Sequence, residues 1–257
     1  MEIDKFKKKF GPEAKNYTKY RTPYPQELYE LFFHILPKGS KKILDIACGT
    51  GKSTEPLVRE GLEVYGCDHD PLMIKEAESQ AKNKNLDIKY ALAETEKLPY
   101  EDGCFDAITI GTALHFFLNE MAMSEIKRVL KNKGLLFVFW TLTTKEIPDE
   151  DSIPGSIYRS FGWIKIPSLL RDLKNTSAFL DKSSFKNVSI KNIPFIYNTT
   201  VEERVNLQTT SGAYELLSTE DKNKFLNEIR SVLTINLGNR EYFQLEEEIQ
   251  VCHGFKG

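Results

Sequence analysis

The run Lys42-Ile43-Leu44-Asp45-Ile46-Ala47-Cys48-Gly49-Thr50-Gly51 constrains this chain more than any other stretch. Ile43 to Ala47 is short and mostly apolar, the pattern of a strand buried on both faces of a parallel sheet. It runs straight into a Gly-Thr-Gly turn, and Lys52 to Glu60 then reads as a helix. Strand, glycine turn and helix in succession is how α/β proteins build a nucleotide site. The glycines let the backbone approach a ligand that a Cβ would block, and the helix N-terminus points free N–H groups at it.

Three ligands compete for such a turn. Gly51-Lys52-Ser53 looks like the second half of a phosphate-gripping loop, but the glycine that loop needs five residues before its last one is Ile46 here. A dinucleotide turn needs a third glycine where Thr54 stands, and the Asp45 carboxylate would repel a pyrophosphate. The third ligand, S-adenosylmethionine, carries no phosphate, and its amine and sulfonium suit an acid beside the glycines. Here Asp45, Ala47, Gly49 and Gly51 resemble motif I of the class I S-adenosylmethionine-dependent methyltransferases, Asp/Glu-x-Gly-x-Gly-x-Gly, with Ala47 where the first glycine usually is.

A length of 257 residues fits one large α/β domain, or one with a cap, and a hydrophobic fraction of 40% is enough for its core. The net charge of −2 gives no basic face for a polyanion, which argues against nucleic acid as partner. No apolar run approaches a membrane span, and Met1-Glu2-Ile3-Asp4 followed by Lys5 to Lys9 lacks a signal peptide's apolar core. Cys48, Cys67, Cys104 and Cys252 make no Cys-x-x-Cys pair. The expectation is a reduced, cytoplasmic protein with no structural metal.

In chain order, residues 1–40 read as an N-terminal helical segment over the cofactor site. Phe6 and Phe10 suggest a short helix, Tyr17, Tyr20 and Arg21 follow, and a second helix spans Pro25 to Leu36. Leu62 to Cys67 is a second strand ending in Asp68-His69-Asp70-Pro71. A carboxylate about 20 residues past the glycines can accept ribose hydroxyls, so Asp68 is assigned to ribose and Asp70 to capping the next helix, Pro71 to Lys82. Met73 on that helix faces the core or the adenine, and the resemblance favours adenine. Leu86 to Leu92 is the third strand. The run Ala93-Glu94-Thr95-Glu96-Lys97-Leu98-Pro99-Tyr100, followed by the fourth strand Phe105 to Ile110, resembles Gly-Asp-Ala-Glu-x-Leu-Pro-Phe … Phe-Asp-x-Val of small-molecule methyltransferases. So aligned, Glu94 accepts from the adenine amino group with Thr95 beside it, and Asp106 holds a neighbouring loop.

Gly111-Thr112-Ala113-Leu114-His115-Phe116-Phe117 leaves the fourth strand where such sheets bind ligands, and His115 suits proton transfer near neutral pH. A helix over Asn119 to Lys131, a C-cap at Asn132-Lys133-Gly134 and a fifth strand over Leu135 to Trp140 complete a core of residues 41–142. Residues 143–257 then read as a lid (Thr143 to Asn175), a helix (Thr176 to Lys186), a sixth strand (Asn187 to Asn198), a helical cap insertion at about 200–237 and a last strand, Tyr242 to Cys252, despite Glu246-Glu247-Glu248. The fold class is α/β: a Rossmann-like, seven-stranded, doubly wound sheet with a helical cap or lid.

Two further segments, Tyr20-Arg21-Thr22-Pro23-Tyr24-Pro25 and Leu114-His115-Phe116-Phe117, are similar to those of the trans-aconitate methyltransferase-like group, which methylates small acids and other metabolites. Thr22 replaces that group's usual proline and Phe116 its usual tryptophan, so the substrate does not carry over. The resemblance implies methyl transfer from S-adenosylmethionine to a small-molecule oxygen or nitrogen. It places Asp45, Ala47, Gly49, Gly51, Asp68, His69, Met73, Glu94, Thr95, Gly111 and Thr112 on the cofactor, and Tyr17, Tyr20, His115 and Trp140 on the acceptor. Arg21 would hold a carboxylate acceptor, which needs no base, and His115 would take the proton of a hydroxyl or amine. A non-catalytic S-adenosylmethionine or nucleoside binder, and an NAD-dependent oxidoreductase, are the competing readings. The expected partner is a small molecule, with neither nucleic acid nor membrane, and the sequence gives no oligomeric state.

Overall fold

The computed structural model describes residues 11–142, 153–162, 178, 180 and 183–257. Its apolar runs become β1 (Lys42–Ile46), β2 (Glu63–Asp68), β3 (Ile88–Leu92), β4 (Phe105–Gly111), β5 (Leu130–Leu142), β6 (Phe185–Thr199) and β7 (Phe243–Lys256). They form one seven-stranded sheet in the order β3-β2-β1-β4-β5-β7-β6, with β1 parallel to β2 and β4, β2 parallel to β3, and β4 parallel to β5. The order reverses at β1 and β4, which are central and buried: Ile43, Leu44, Ile46, Ala107, Ile108 and Ile110 are all removed from solvent. This is the seven-stranded, Rossmann-like α/β sheet read from the sequence.

The helices are α1 (Ala14–Tyr20), α2 (Gln26–Ile35), α3 (Pro71–Asn83), α4 (Glu120–Val129), α5 (Gly155–Ser160), α6 (Val201–Gln208) and α7 (Thr219–Leu237). Their starts follow capping chemistry. Asp70 accepts the Leu72 N–H, Asn119 that of Ala122 and Ser218 that of Asp221, while Thr200 and Glu203 form a reciprocal capping box. Two helices, α6 and α7, therefore stand between β6 and β7 in the chain.

The chain divides into two compact units. One comprises Pro23–Thr141, Pro167–Ile193 and Ile249–Gly257, and its fully buried side chains include Phe32, Phe105, Phe137 and Trp140. The other comprises Met1–Thr22, Leu142–Ile166 and Pro194–Glu248. Its core is a cluster of Val205, Tyr214, Phe225, Ile229, Leu233, Phe243 and Leu245.

Two expected elements differ. Lys52 to Glu60 is a series of turns with a single 3-10 turn, Glu55–Leu57. Glu55 N–H bonds back to Gly51 O at 2.9 Å, but Pro56 has no N–H to continue an α-helical ladder. Asn132-Lys133-Gly134 is not a helix cap. Leu130 is already extended (ψ 133°) and buried in the sheet opposite Phe105, while Leu135 pairs with Ala107. The residues between form a bulge in which Lys133 takes a positive φ of 62°. The proposed Phe6/Phe10 helix and most of the lid and of the Thr176 to Lys186 helix lie outside the described residues.

Candidate functional site

β1 delivers the chain into a turn built from three left-handed residues, Ala47 (φ 55°), Gly49 (φ 55°) and Gly51 (φ 82°). For Ala47 that conformation costs about 1–2 kcal/mol. The turn is fastened by Cys48 N–H to Cys67 O and by Gly51 N–H to Cys48 O, each at 3.0 Å. Gly51 needs glycine for a second reason, because a Cβ there would run into the Tyr90 hydroxyl. The same ring closes over β2, where a Cβ on Gly66 would lie 2.7 Å from Tyr90 Cε1. From α2, Tyr29 Oη donates to Ser53 O at 3.4 Å.

Asp45, wholly buried, is held by hydroxyls on three sides. Ser53 Oγ and Thr54 Oγ1 donate to its Oδ2, and Thr109 Oγ1 to its Oδ1, all at 2.7 Å. Burial pushes its carboxyl up to about 6, against the pull of those three donors. Its oxygens thus serve the protein, tying β1 to the turn and to β4, and only its charge reaches beyond them. Ser53, Thr54 and Thr109 are site residues that sequence reasoning missed. The signal for Thr109 is a lone hydroxyl in an apolar strand, directly opposite Asp45 in register.

Asp68, at the tip of β2, is nearly buried. Its Oδ2 accepts the Gly49 N–H and its Oδ1 the Asp70 N–H, both at 2.9 Å, and His69 Nδ1 lies 3.2 Å from Oδ1. A carboxylate has roughly four acceptor positions. One direction, on Oδ2, therefore remains for a further donor. Asp70 caps α3 as expected, and Met73 in its first turn is buried.

After β3, Glu94 is exposed and Thr95 buried. Arg128 on α4 clamps the loop that carries them. Its guanidinium donates to Tyr100 O at 2.7 Å and Leu98 O at 3.0 Å while holding Glu125 and Asp102, and Glu125 accepts the Leu98 N–H at 2.9 Å. Asp106 accepts the amides of Lys41 and Lys42 at 2.8 and 3.0 Å, the loop-holding role read from the sequence.

Beyond β4, the space at the Gly111 Cα is filled by Phe139, 2.8 Å from where a Cβ would stand. Thr112 takes φ 54°, an outlier for a β-branched residue, and donates its N–H to Phe139 O at 2.7 Å. Tyr24 reaches the same place. Its hydroxyl lies 3.4 Å from Thr112 Oγ1, and its ring meets Phe139 edge-on at 4.9 Å. Tyr24 also went unassigned, although it stands in the Tyr20–Pro25 segment. His115 is buried in a 3-10 turn, Leu114–Phe116, with the Phe116 ring 4.0 Å away. Trp140 is fully buried near the end of β5, and its indole N–H has no hydrogen-bond partner among the described residues.

Tyr17, Tyr20 and Arg21 belong to the other unit. Arg21 closes α1 through its N–H to Tyr17 O at 3.1 Å, with its guanidinium 5.6 Å from the centre of the Tyr17 ring, and Lys19 lies 4.9 Å from that of Tyr20. No helix of the described residues is long and apolar enough to cross a membrane.

A parallel sheet whose order reverses at β1 and β4, with a left-handed turn at that reversal, is the architecture of the Rossmann-like α/β class, which binds ligands at such a reversal. Residues 44–138, which span this turn and the ends of β2 to β4, match the family model described as methyltransferase domain. Over 237 residues, 89% of this chain and 86% of the relative, the sequence is 25% identical to a Dictyostelium discoideum protein named as a methyltransferase. It is 39% identical over 106 residues to the demethylmenaquinone methyltransferase of Thermus thermophilus, covering 40% of this chain and 48% of that one, so the chain spans about half the length of that relative. The solved structure of Haemonchus contortus phosphoethanolamine N-methyltransferase 2, in complex with phosphomonomethylethanolamine and S-adenosylhomocysteine, superposes with a TM-score of 0.59 at 16% identity. That likeness covers 96% of this chain and 57% of the other, and is one of fold.

Proposed function

We propose that this chain transfers the methyl group of S-adenosylmethionine to an oxygen or nitrogen of a small-molecule acceptor. The observation that carries the reading is the turn after β1, where three left-handed residues bare the backbone and Gly49 is tied to the Asp68 carboxylate. The residues fit the cofactor. Thr50 Oγ1 in the turn is buried with no hydrogen-bond partner among the described residues, a polar atom for a ligand to satisfy. Asp45 and Asp68 supply negative charge, which favours a cationic ligand over a polyphosphate. Bound there, S-adenosylmethionine would supply a methyl group on a positively charged sulfur.

In this reading the free direction of Asp68 Oδ2 accepts a ribose hydroxyl, and Glu94 accepts from the adenine amino group. Ala47, Gly49 and Gly51 present backbone to the cofactor, and His69, Met73, Thr95, Gly111 and Thr112 line its site. His115 and Trp140 are the proposed acceptor contacts of this unit, and Tyr17, Tyr20 and Arg21 those of the other unit. A carboxylate acceptor pairs with Arg21, whereas a hydroxyl or amine gives its proton to His115. Such residues gain rate chiefly by holding the acceptor in line and excluding water.

Calorimetry with S-adenosylmethionine, followed by product assays on a panel of metabolites, tests the reading. Cofactor binding and a methylated product are expected. Absence of cofactor binding refutes it, and binding without turnover on any acceptor makes the chain a non-catalytic binder. On a turned-over acceptor, Arg21→Ala or His115→Ala should lower the rate about a hundredfold, and if neither does, both assignments are wrong.

A further inference from the structure

Asp45 is removed from solvent altogether, and among the described residues no Lys, Arg or His side chain pairs with it. A buried carboxylate without a cation is unfavourable as an anion and relieves this by taking up a proton. The other titratable groups coupled to it stand on every side: Cys48 in the turn, Cys67 and Asp68 on β2, Tyr90 on β3 and Tyr29 on α2. Burial holds the two thiols and the two phenols neutral, so Asp68 is the one charge among them, and it is negative. All belong to the Pro23–Thr141 stretch of one compact unit. The three donors to Asp45 are of one kind. An N–H group only donates and would favour the anion, whereas a hydroxyl turns to donate or to accept. Ser53 Oγ, Thr54 Oγ1 and Thr109 Oγ1, each at 2.7 Å, therefore serve Asp45 in both states. All three donate to the anion, and one turns to accept from the acid. Burial raises the carboxyl to about 6, where a charge arriving nearby decides whether it keeps its proton.

We infer that Asp45 and its three hydroxyls form a proton switch beneath the glycine turn, which holds a proton in the ligand-free chain under mildly acid conditions and releases it when a cationic ligand binds. This inference rests on the reading that S-adenosylmethionine binds at the turn, and it adds how that binding is regulated. On release the O–H bond of the Asp45 carboxyl breaks, its electron pair stays on the oxygen and the proton passes to the buffer. Ser53, 8% exposed against 0% for Thr54 and 2% for Thr109, is the hydroxyl nearest solvent and the way out. Coupling of this kind is reciprocal: whatever factor the cation takes from the proton's affinity, the proton takes from the cation's. With the carboxyl at about 6, roughly ten chains in eleven carry the proton at about pH 5, and the competent fraction falls accordingly. Affinity for the cofactor should thus drop about tenfold between about pH 7.5 and about pH 5.

The test is calorimetric titration of the full chain with S-adenosylmethionine in buffers of differing ionisation enthalpy, which counts the protons released. The wild type should release about half a proton per cofactor at about pH 6 and almost none at about pH 7.5, and Asp45→Asn should release none at either. The infrared carbonyl band of a protonated carboxyl reads the same proton without a ligand: present in the free wild type at about pH 5.5, it should be missing from Asp45→Asn and fade from the wild type on adding cofactor. Should the variant fail to fold or to bind, the wild-type pH series and the fading band carry the test. The inference is overturned if the wild type binds at about pH 6 without releasing a proton, if Asp45→Asn releases as many, or if affinity is the same at both ends of the range. Cofactor binding without proton release sinks this inference alone. Absence of cofactor binding at every pH sinks the methyltransferase reading and the switch with it, even where the infrared band shows the proton in place.

Discussion

Replacing Asp45 by asparagine tests the electrostatics at the centre of the sheet. In the wild type the carboxyl sits at about 6 rather than 3.8, because it is buried away from water. The folded chain therefore binds this proton more tightly than the unfolded chain, and acid favours the fold. This contribution is complete below pH 3.8 and is lost as the pH rises through about 6. The gap between the two values, at roughly 1.4 kcal/mol per pH unit, amounts to about 3 kcal/mol. An amide has no such proton to lose. It can still accept from the Ser53 and Thr54 hydroxyls and donate to Thr109. Urea midpoints of both proteins from about pH 4 to about pH 7.5 give the difference in stability at each pH, with the other titrating groups cancelling. The variant should gain about 2.5 kcal/mol on the wild type across that range, the rest of the gap lying below pH 4. Parallel curves, or a variant that loses ground as the pH rises, would show that Asp45 does not titrate as its surroundings dictate.

Ala47→Gly should stabilise the chain by about 1 kcal/mol, since it relieves a left-handed alanine, and a higher Tm in a thermal melt checks it; an unchanged or lower Tm counts against the strain. Arg128→Ala removes the donors that hold Leu98 O and Tyr100 O. It should cost about 2 kcal/mol in urea unfolding and speed amide exchange in residues 94–104, and exchange confined to its wild-type rate would rule out the clamp.

The sheet was legible because its strands are apolar runs closed by turn residues. β1, β2 and β4 fall within a residue or two of where the runs Ile43–Ala47, Leu62–Cys67 and Phe105–Ile110 place them. The helix after the glycine turn was misread because the pattern gives no weight to one missing donor, Pro56, the fifth residue of that stretch. The cap expected at Asn132-Lys133-Gly134 is a bulge because burial of Leu130 opposite Phe105 outweighs a local turn signal. At the site, positions along the chain were readable and directions in space were not. Asp45 stands where an acid was expected beside the glycines, but its oxygens turn to three hydroxyls that come from other segments. Thr109 meets Asp45 only through pairing of two strands 64 residues apart, which no local window contains.

Tyr90 is the one tenant of two vacancies, the missing side chains of Gly51 and Gly66. Neither glycine can grow while that ring stays. Anyone wishing to widen or reshape this turn should therefore begin at the third strand, where a single aromatic sets how far the backbone can yield.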